Sequence, residues 1–157
     1  MWCTRVTIWK SIWCCFSNAV FHWIKNHETL LDYIYKVLKP KGLLICEFGT
    51  SGNIATIENA FIKVCQDLGY EYKPKFNFPT TKHFADLLTK KGFIIDKIYD
   101  YDWPTPLKDH ERGLENWMRQ FFAFELEKMS KDILESIDQS EVYNLINEDK
   151  YDEGDSL

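Results

Sequence analysis

The chain has 157 residues, 45% of them hydrophobic and 27% charged, with a formal net charge of −5. That balance argues against wholesale disorder, and the length suits one domain with a real core better than two. No run of Lys or Arg and no basic stripe is present, so no nucleic-acid partner is expected.

The opening stretch MWCTRVTIWKSIWCCF is interrupted by Arg5 and Lys10 and has no small-residue cleavage pattern. The apolar segment from Ser11 to Ile24 is too short to cross a bilayer and contains Ser17, Asn18 and His22, so neither a signal nor a membrane partner is expected. Residues 11–16 are rich in rings and apolar side chains and predict a strand that stops at Ser17-Asn18. Asn26 is an N-cap candidate for a helix in which Leu30, Leu31, Ile34, Val37 and Leu38 recur at helical spacing, ended by Pro40 and Gly42. The run LLICEF, apolar on both faces, then predicts a buried parallel strand adjacent to the first.

GTSGN turns the chain into a second helix, Ile54 to Leu68, with Ile54, Ile57, Ala60, Phe61, Val64, Cys65 and Leu68 on one stripe and Gly69 as its stop. A Pro-containing connection over 70–79 leads to a third helix capped by Thr80 or Thr81 and closed by Gly92. FIIDKIYDYDW alternates as a strand does, and PTPL breaks it. Helices are expected from Gly113 to Met129 and from Asp132 to about Ile146, with a frayed acidic tail. The order is β-α-β-α-α-β-α-α, an α/β pattern with a helical C-terminal extension.

The cysteines are five, Cys3, Cys14, Cys15, Cys46 and Cys65, with no CxxC pair and no zinc spacing. Reduced thiols and a cytoplasmic location are expected, and no metal. His22 and His27 are five apart and do not share a helix face, which argues against a metal pair. GTSGN lacks the GxGxxG spacing, so a tight turn with a helix cap is the reading taken rather than a phosphate cradle.

Read in series, FSNAVFHWI, VLKPKGLLICEFG, GNIATIENAF and KKGFIIDKIYDYDWPTPLKDHERGLENWMRQF resemble the class I S-adenosylmethionine-dependent methyltransferases. In that family the fourth strand ends in a polar SNA followed by HW, and a helix then runs into LKPGG and the fifth strand. The last piece is similar to the branch that includes trans-aconitate methyltransferase-like proteins. The resemblance covers about residues 15–130 and implies a partial Rossmann-like sheet of about three strands, with 1–14 as a non-matching leader, 15–150 as a partial methyltransferase domain and 151–157 as an acidic tail.

The family's Gly-rich loop and the acidic residue ending its second strand have no counterpart upstream of residue 15, where MWCTRVTIWKSIWC holds neither glycine nor an acid. The chain is therefore expected to bind S-adenosylmethionine poorly or not at all by itself. If active, it would transfer a methyl group to a small molecule, a carboxylate among the candidates. The alternative is a non-catalytic module that pairs with a second copy or a companion chain through an exposed first strand. A third reading is a gene-model or splice fragment that never accumulates.

The resemblance implies Ser17, Asn18 and Ala19 as cofactor contacts; the plain alternative is an ordinary strand-to-loop break. His22 is the catalytic candidate, as a base or facing a substrate carboxylate, against the reading of a core-edge histidine between Phe21 and Trp23. Glu47, at a strand end, is a substrate-binding candidate that needs a partner if buried. Trp103, Trp117 and Arg119 are further substrate-binding candidates, Arg119 because a guanidinium fork suits a carboxylate; Trp117, Phe121 and Phe124 are equally read as a core stripe.

Overall fold

The computed structural model describes residues 11–67, 69–103 and 113–128. The leader before residue 11, PTPL, the helix expected over 132–146 and the acidic tail lie outside the described residues. The described chain is mixed α/β, with a two-stranded parallel sheet and five α-helices, and it divides into two units.

The first unit comprises residues 11–53 and Pro74–Tyr101. Strand β1 (Ile12–Asn18) and strand β2 (Leu38–Glu47) run parallel, joined by helix α1 (His27–Val37). Asn26 caps α1 as its sequence position implies, its side chain accepting from the Thr29 N–H at 2.9 Å, and Glu28 sits in the first turn where the helix dipole favours an acid. The helix ends earlier than expected, at Val37, and β2 begins at once. Ile12 pairs with Leu38 but Cys14 with Leu43, so the chain bulges between those two β2 positions. Pro40 lies in the bulge, where its missing N–H removes nothing from the ladder, and Lys41 turns there with a φ of 67°.

Beyond the bulge the register is regular: Cys15 with Leu44, Phe16 with Ile45, Ser17 with Cys46, Asn18 with Glu47. Side chains alternate across a strand, so one face carries Cys15, Leu44 and Cys46 into the core. The other presents Phe16, 69% exposed, beside Leu43 and Ile45. The core is built from Phe21, Leu31 and Ile34 with Phe84, Leu87 and Leu88 of helix α3 (Thr81–Lys90, numbered in chain order after α2 below). Thr80 caps α3 by accepting from the His83 N–H at 3.1 Å. Two lysines at its end tie it to α1: Lys90 reaches Glu28 at 3.0 Å and Lys91 reaches Asp32 at 2.8 Å.

The third strand expected from FIIDKIYDYDW is not formed: 93–103 has no strand partner, and the described sheet has two strands rather than about three. The alternation that suggested it is real but serves packing, not pairing. Phe93 and Ile95 lie on the α1–α3 core while Ile94 between them is 97% exposed. An alternating segment reports one buried face; it does not report a neighbour for its amides.

The second unit comprises Ile54–Lys73 and the described residues from Asp102 onward. Helix α2 (Ala55–Asp67) buries Ala60, Phe61, Val64 and Cys65, the stripe read from its spacing, flanked by Ile54 and Ile57. The long helix expected from Gly113 is two, α4 (Gly113–Phe121) and α5 (Ala123–Lys128), bridged by bonds from the Phe122 N–H to Met118 O and from the Leu126 N–H to Phe122 O. Leu114, Met118, Phe122 and Leu126 form the buried stripe; Trp117 and Phe121 stand on its shoulder, one position off the stripe expected.

Candidate functional site

In a parallel pair both carboxyl ends lie at one end of the sheet, so the residues that end the two strands gather there. Asn18 sits opposite Glu47. One residue on, Ala19 adopts the left-handed region, φ 54°, and its N–H donates to Glu47 O at 2.8 Å. A side chain other than glycine is rare in that region, and such residues mark places where the surroundings fix the backbone. The consequence is a sharp exit from β1 that carries Val20 to Trp23 across the strand ends as a single 3₁₀ turn, Phe21–Trp23. Ser17 is half-buried on the core side of the sheet and Asn18 is exposed on the open side.

His22 occupies the middle of that turn. Its ring is half-buried among Trp23, Phe76 and Phe78, with centroids 5.7, 6.1 and 5.4 Å away. Its Nδ1 accepts from the Gly49 N–H at 3.3 Å, and its carbonyl accepts from the Asn77 N–H at 2.8 Å. Burial pushes the imidazole below its ordinary value, because a charged ring would lose hydration there. Gly49 leaves no free space for a side chain: a Cβ would meet a Phe78 ring carbon at 2.6 Å and the Asn53 side chain at 2.8 Å, so one of them would have to shift. GTSGN thus acts as a turn, with the Asn53 N–H donating to Thr50 O at 3.0 Å, and its first residue supplies the amide that holds His22.

Glu47 is exposed rather than buried, and its partner is Tyr101, whose hydroxyl donates to Oε1 at 3.1 Å. Desolvation, and then the bond to that carboxylate, raise the Tyr101 phenol above its ordinary value. Asn77 is a site residue the sequence did not disclose. Its side-chain amide donates to the carbonyls of Ile24 and Lys25 at 3.2 and 3.0 Å and lies 3.4 Å from His27 Nδ1. With Nδ1 accepting, His27 donates from Nε2 to Phe21 O at 2.9 Å, so this buried histidine, 4% exposed, is fully bonded between the rings of Phe48 and Phe84. No spacing in the sequence pairs residue 77 with residues 22–27; only a polar residue inside the aromatic run KFNFP hinted at a role.

Ser17, Asn18, Ala19, His22 and Glu47 therefore fall in the first unit, at the carboxyl ends of β1 and β2. Trp103, Trp117 and Arg119 fall in the second. There Trp103 is exposed, Trp117 is half-buried against Phe121 and Phe122 at 4.7 and 5.9 Å, and Arg119 Nε donates to Glu115 at 2.8 Å along α4. Among the described residues no three of His, Cys, Asp and Glu come together as a metal set, and no helix is long and apolar enough to cross a membrane.

A family profile described as "Methyltransferase domain" matches residues 10–46, which hold β1, the 3₁₀ turn, α1 and nearly all of β2. The matched unit is methyltransferase-like. A protein of Schizosaccharomyces pombe (strain 972 / ATCC 24843), named Uncharacterized methyltransferase C70.08c, is 27% identical over 118 residues. That similarity takes in 68% of this chain and 45% of the relative, so the chain spans less than half of that relative's length.

Methyltransferases of this kind use S-adenosylmethionine. The Ala19 N–H is already committed to Glu47 O, so it is not a free donor at the strand ends.

Proposed function

We propose that this chain forms one wall of the site of a class I S-adenosylmethionine-dependent methyltransferase, in the branch similar to trans-aconitate methyltransferases, acting on a small-molecule acceptor. The observation that carries the reading is the parallel β1–α1–β2 unit, nearly all of it in the matched segment, with β1 running out through Ser17-Asn18 into a left-handed Ala19. The cofactor, when bound, supplies a methyl carbon already activated by a sulfonium, so the protein's work is to position the reactants and exclude water. Ser17, Asn18 and Ala19 are assigned to the cofactor, and His22 and Glu47 to the acceptor side. The reading rests on the first unit alone.

No glycine-rich strand-to-helix loop of the GxGxxG kind occurs in the sequence, so the cofactor would meet one wall here. Calorimetric titration of the purified chain with S-adenosylhomocysteine tests this. Binding too weak to saturate below about 1 mM is expected, equivalent to less than ~4 kcal/mol of binding free energy. Saturable 1:1 binding in the micromolar range would show that these residues build a complete site.

A second reading is favoured by one observation: among the described residues β1 pairs only with β2, so its other edge carries unpaired backbone groups beside the exposed Trp13 and Phe16. Such an edge is a template for another strand, in a second copy or a companion chain. Light scattering coupled to size exclusion distinguishes the two. A concentration-dependent dimer supports strand pairing, and a monomer at high concentration counts against it.

A further inference from the structure

An amide N–H can only donate, so the bond from Gly49 N to His22 Nδ1 makes that nitrogen the acceptor and leaves the proton of the neutral ring on Nε2. Nε2 has no protein partner among the described residues, and it is not a buried unsatisfied atom, so it reaches solvent. The rings of Phe78 and Trp23 flank the imidazole, and the Asn77 N–H holds the backbone carbonyl of the same residue. We propose that His22 acts at this rim as a positioning hydrogen-bond donor rather than a proton acceptor, its Nε2–H engaging a carboxylate or carbonyl oxygen of the small-molecule acceptor. The identity of that molecule as a methyl acceptor rests on the methyltransferase reading; the location of the proton does not.

A base at this position would need a bare Nε2, which requires the tautomer that sets two N–H groups, those of Gly49 and Nδ1, against each other. Burial adds to the preference for a neutral ring. The held imidazole therefore donates over the whole range in which it is neutral, and the transfer of a methyl group to a carboxylate needs no base.

Long-range ¹H–¹⁵N spectra of the full ¹⁵N-labelled chain, with His22 assigned by comparison with His22→Gln, report the tautomer directly. Nε2 protonated and Nδ1 bare at pH 7.5 is the expected result; a protonated Nδ1 overturns the proposal. Benzoate serves as the oxygen probe. It should shift the Nε2 resonance and bind roughly three- to tenfold more weakly to His22→Phe, while His22→Gln, whose amide can donate from a similar place, recovers most of the affinity. Equal affinity in His22→Phe, no shift at Nε2, or equal loss in both variants contradicts the donor role. If the tautomer and benzoate results hold while S-adenosylhomocysteine leaves the rim unperturbed, the methyltransferase reading fails and the donor assignment stands.

Discussion

His22 connects three pieces of chain that are far apart in sequence: the turn after β1, the amide after β2 and the aromatic connection 76–78. Its pKa is lowered by burial, so between the folded value and the ordinary value of about 6.5 the unfolded chain binds more protons than the folded one. Stability from the buried neutral ring is thus fully present above about pH 6.5 and is lost as pH falls toward the folded pKa. Urea midpoints at pH 7.5 and 5.5 should fall further for the wild-type chain than for His22→Gln; equal falls would show that His22 is not held neutral. Gly49→Ala should cost about 1–3 kcal/mol, since Phe78 must move and the amide bond to His22 is strained. Cys46 and Cys65 carry thiols pushed up to about 11, by burial first, with Cys15 and Glu125 respectively adding to the shift. At pH 8 only about a thousandth of each would be thiolate, so alkylation followed by mass spectrometry should modify exposed Cys14 well before either. At this scale the position of His22 and of the strand-end polar run could be picked out from the sequence, because the apolar run stops at Ser17-Asn18. Asn77 and Tyr101 could not, since each meets its partner across some fifty residues of sequence.

The helices follow from local chemistry, and that is why their starts could be read in advance. Asn26 and Thr80 each satisfy an N–H of the first turn that has no partner within the helix. Asn26→Ala should lower stability by about 1 kcal/mol in urea denaturation, and Asn26→Ser should restore most of it. Leu31, fully buried between the sheet and α3, should cost about 2–5 kcal/mol on truncation to Ala. The strands followed local chemistry less closely. β2 is longer than its apolar run implies because Pro40, a helix stop, also sits inside a strand by bulging out of the ladder. The supposed third strand shows the opposite failure: Phe93 and Ile95 meet the alternation rule on one face of a core, and pairing is a property of neighbours that a single segment does not encode.

For the molecule as a whole, the first unit has a sheet covered on one face by α1 and α3, with Phe16, Leu43 and Ile45 on the other. Parallel sheets ordinarily bury both faces, and near-continuous apolar runs such as LLICEF are written for that. The α/β class and the order of the first four elements were legible because each carries its own periodicity. The division into two units was not, since it depends on which apolar stripes meet and not on the stripes themselves. The proposed function rests on the rim that β1 and β2 share. Backbone amide spectra of the ¹⁵N-labelled chain, titrated with S-adenosylhomocysteine into the millimolar range, test that rim most directly. Shifts concentrated at Ser17, Asn18 and Ala19, growing without saturation, are the predicted result; an unchanged rim, or shifts confined to α2, α4 and α5, would contradict it.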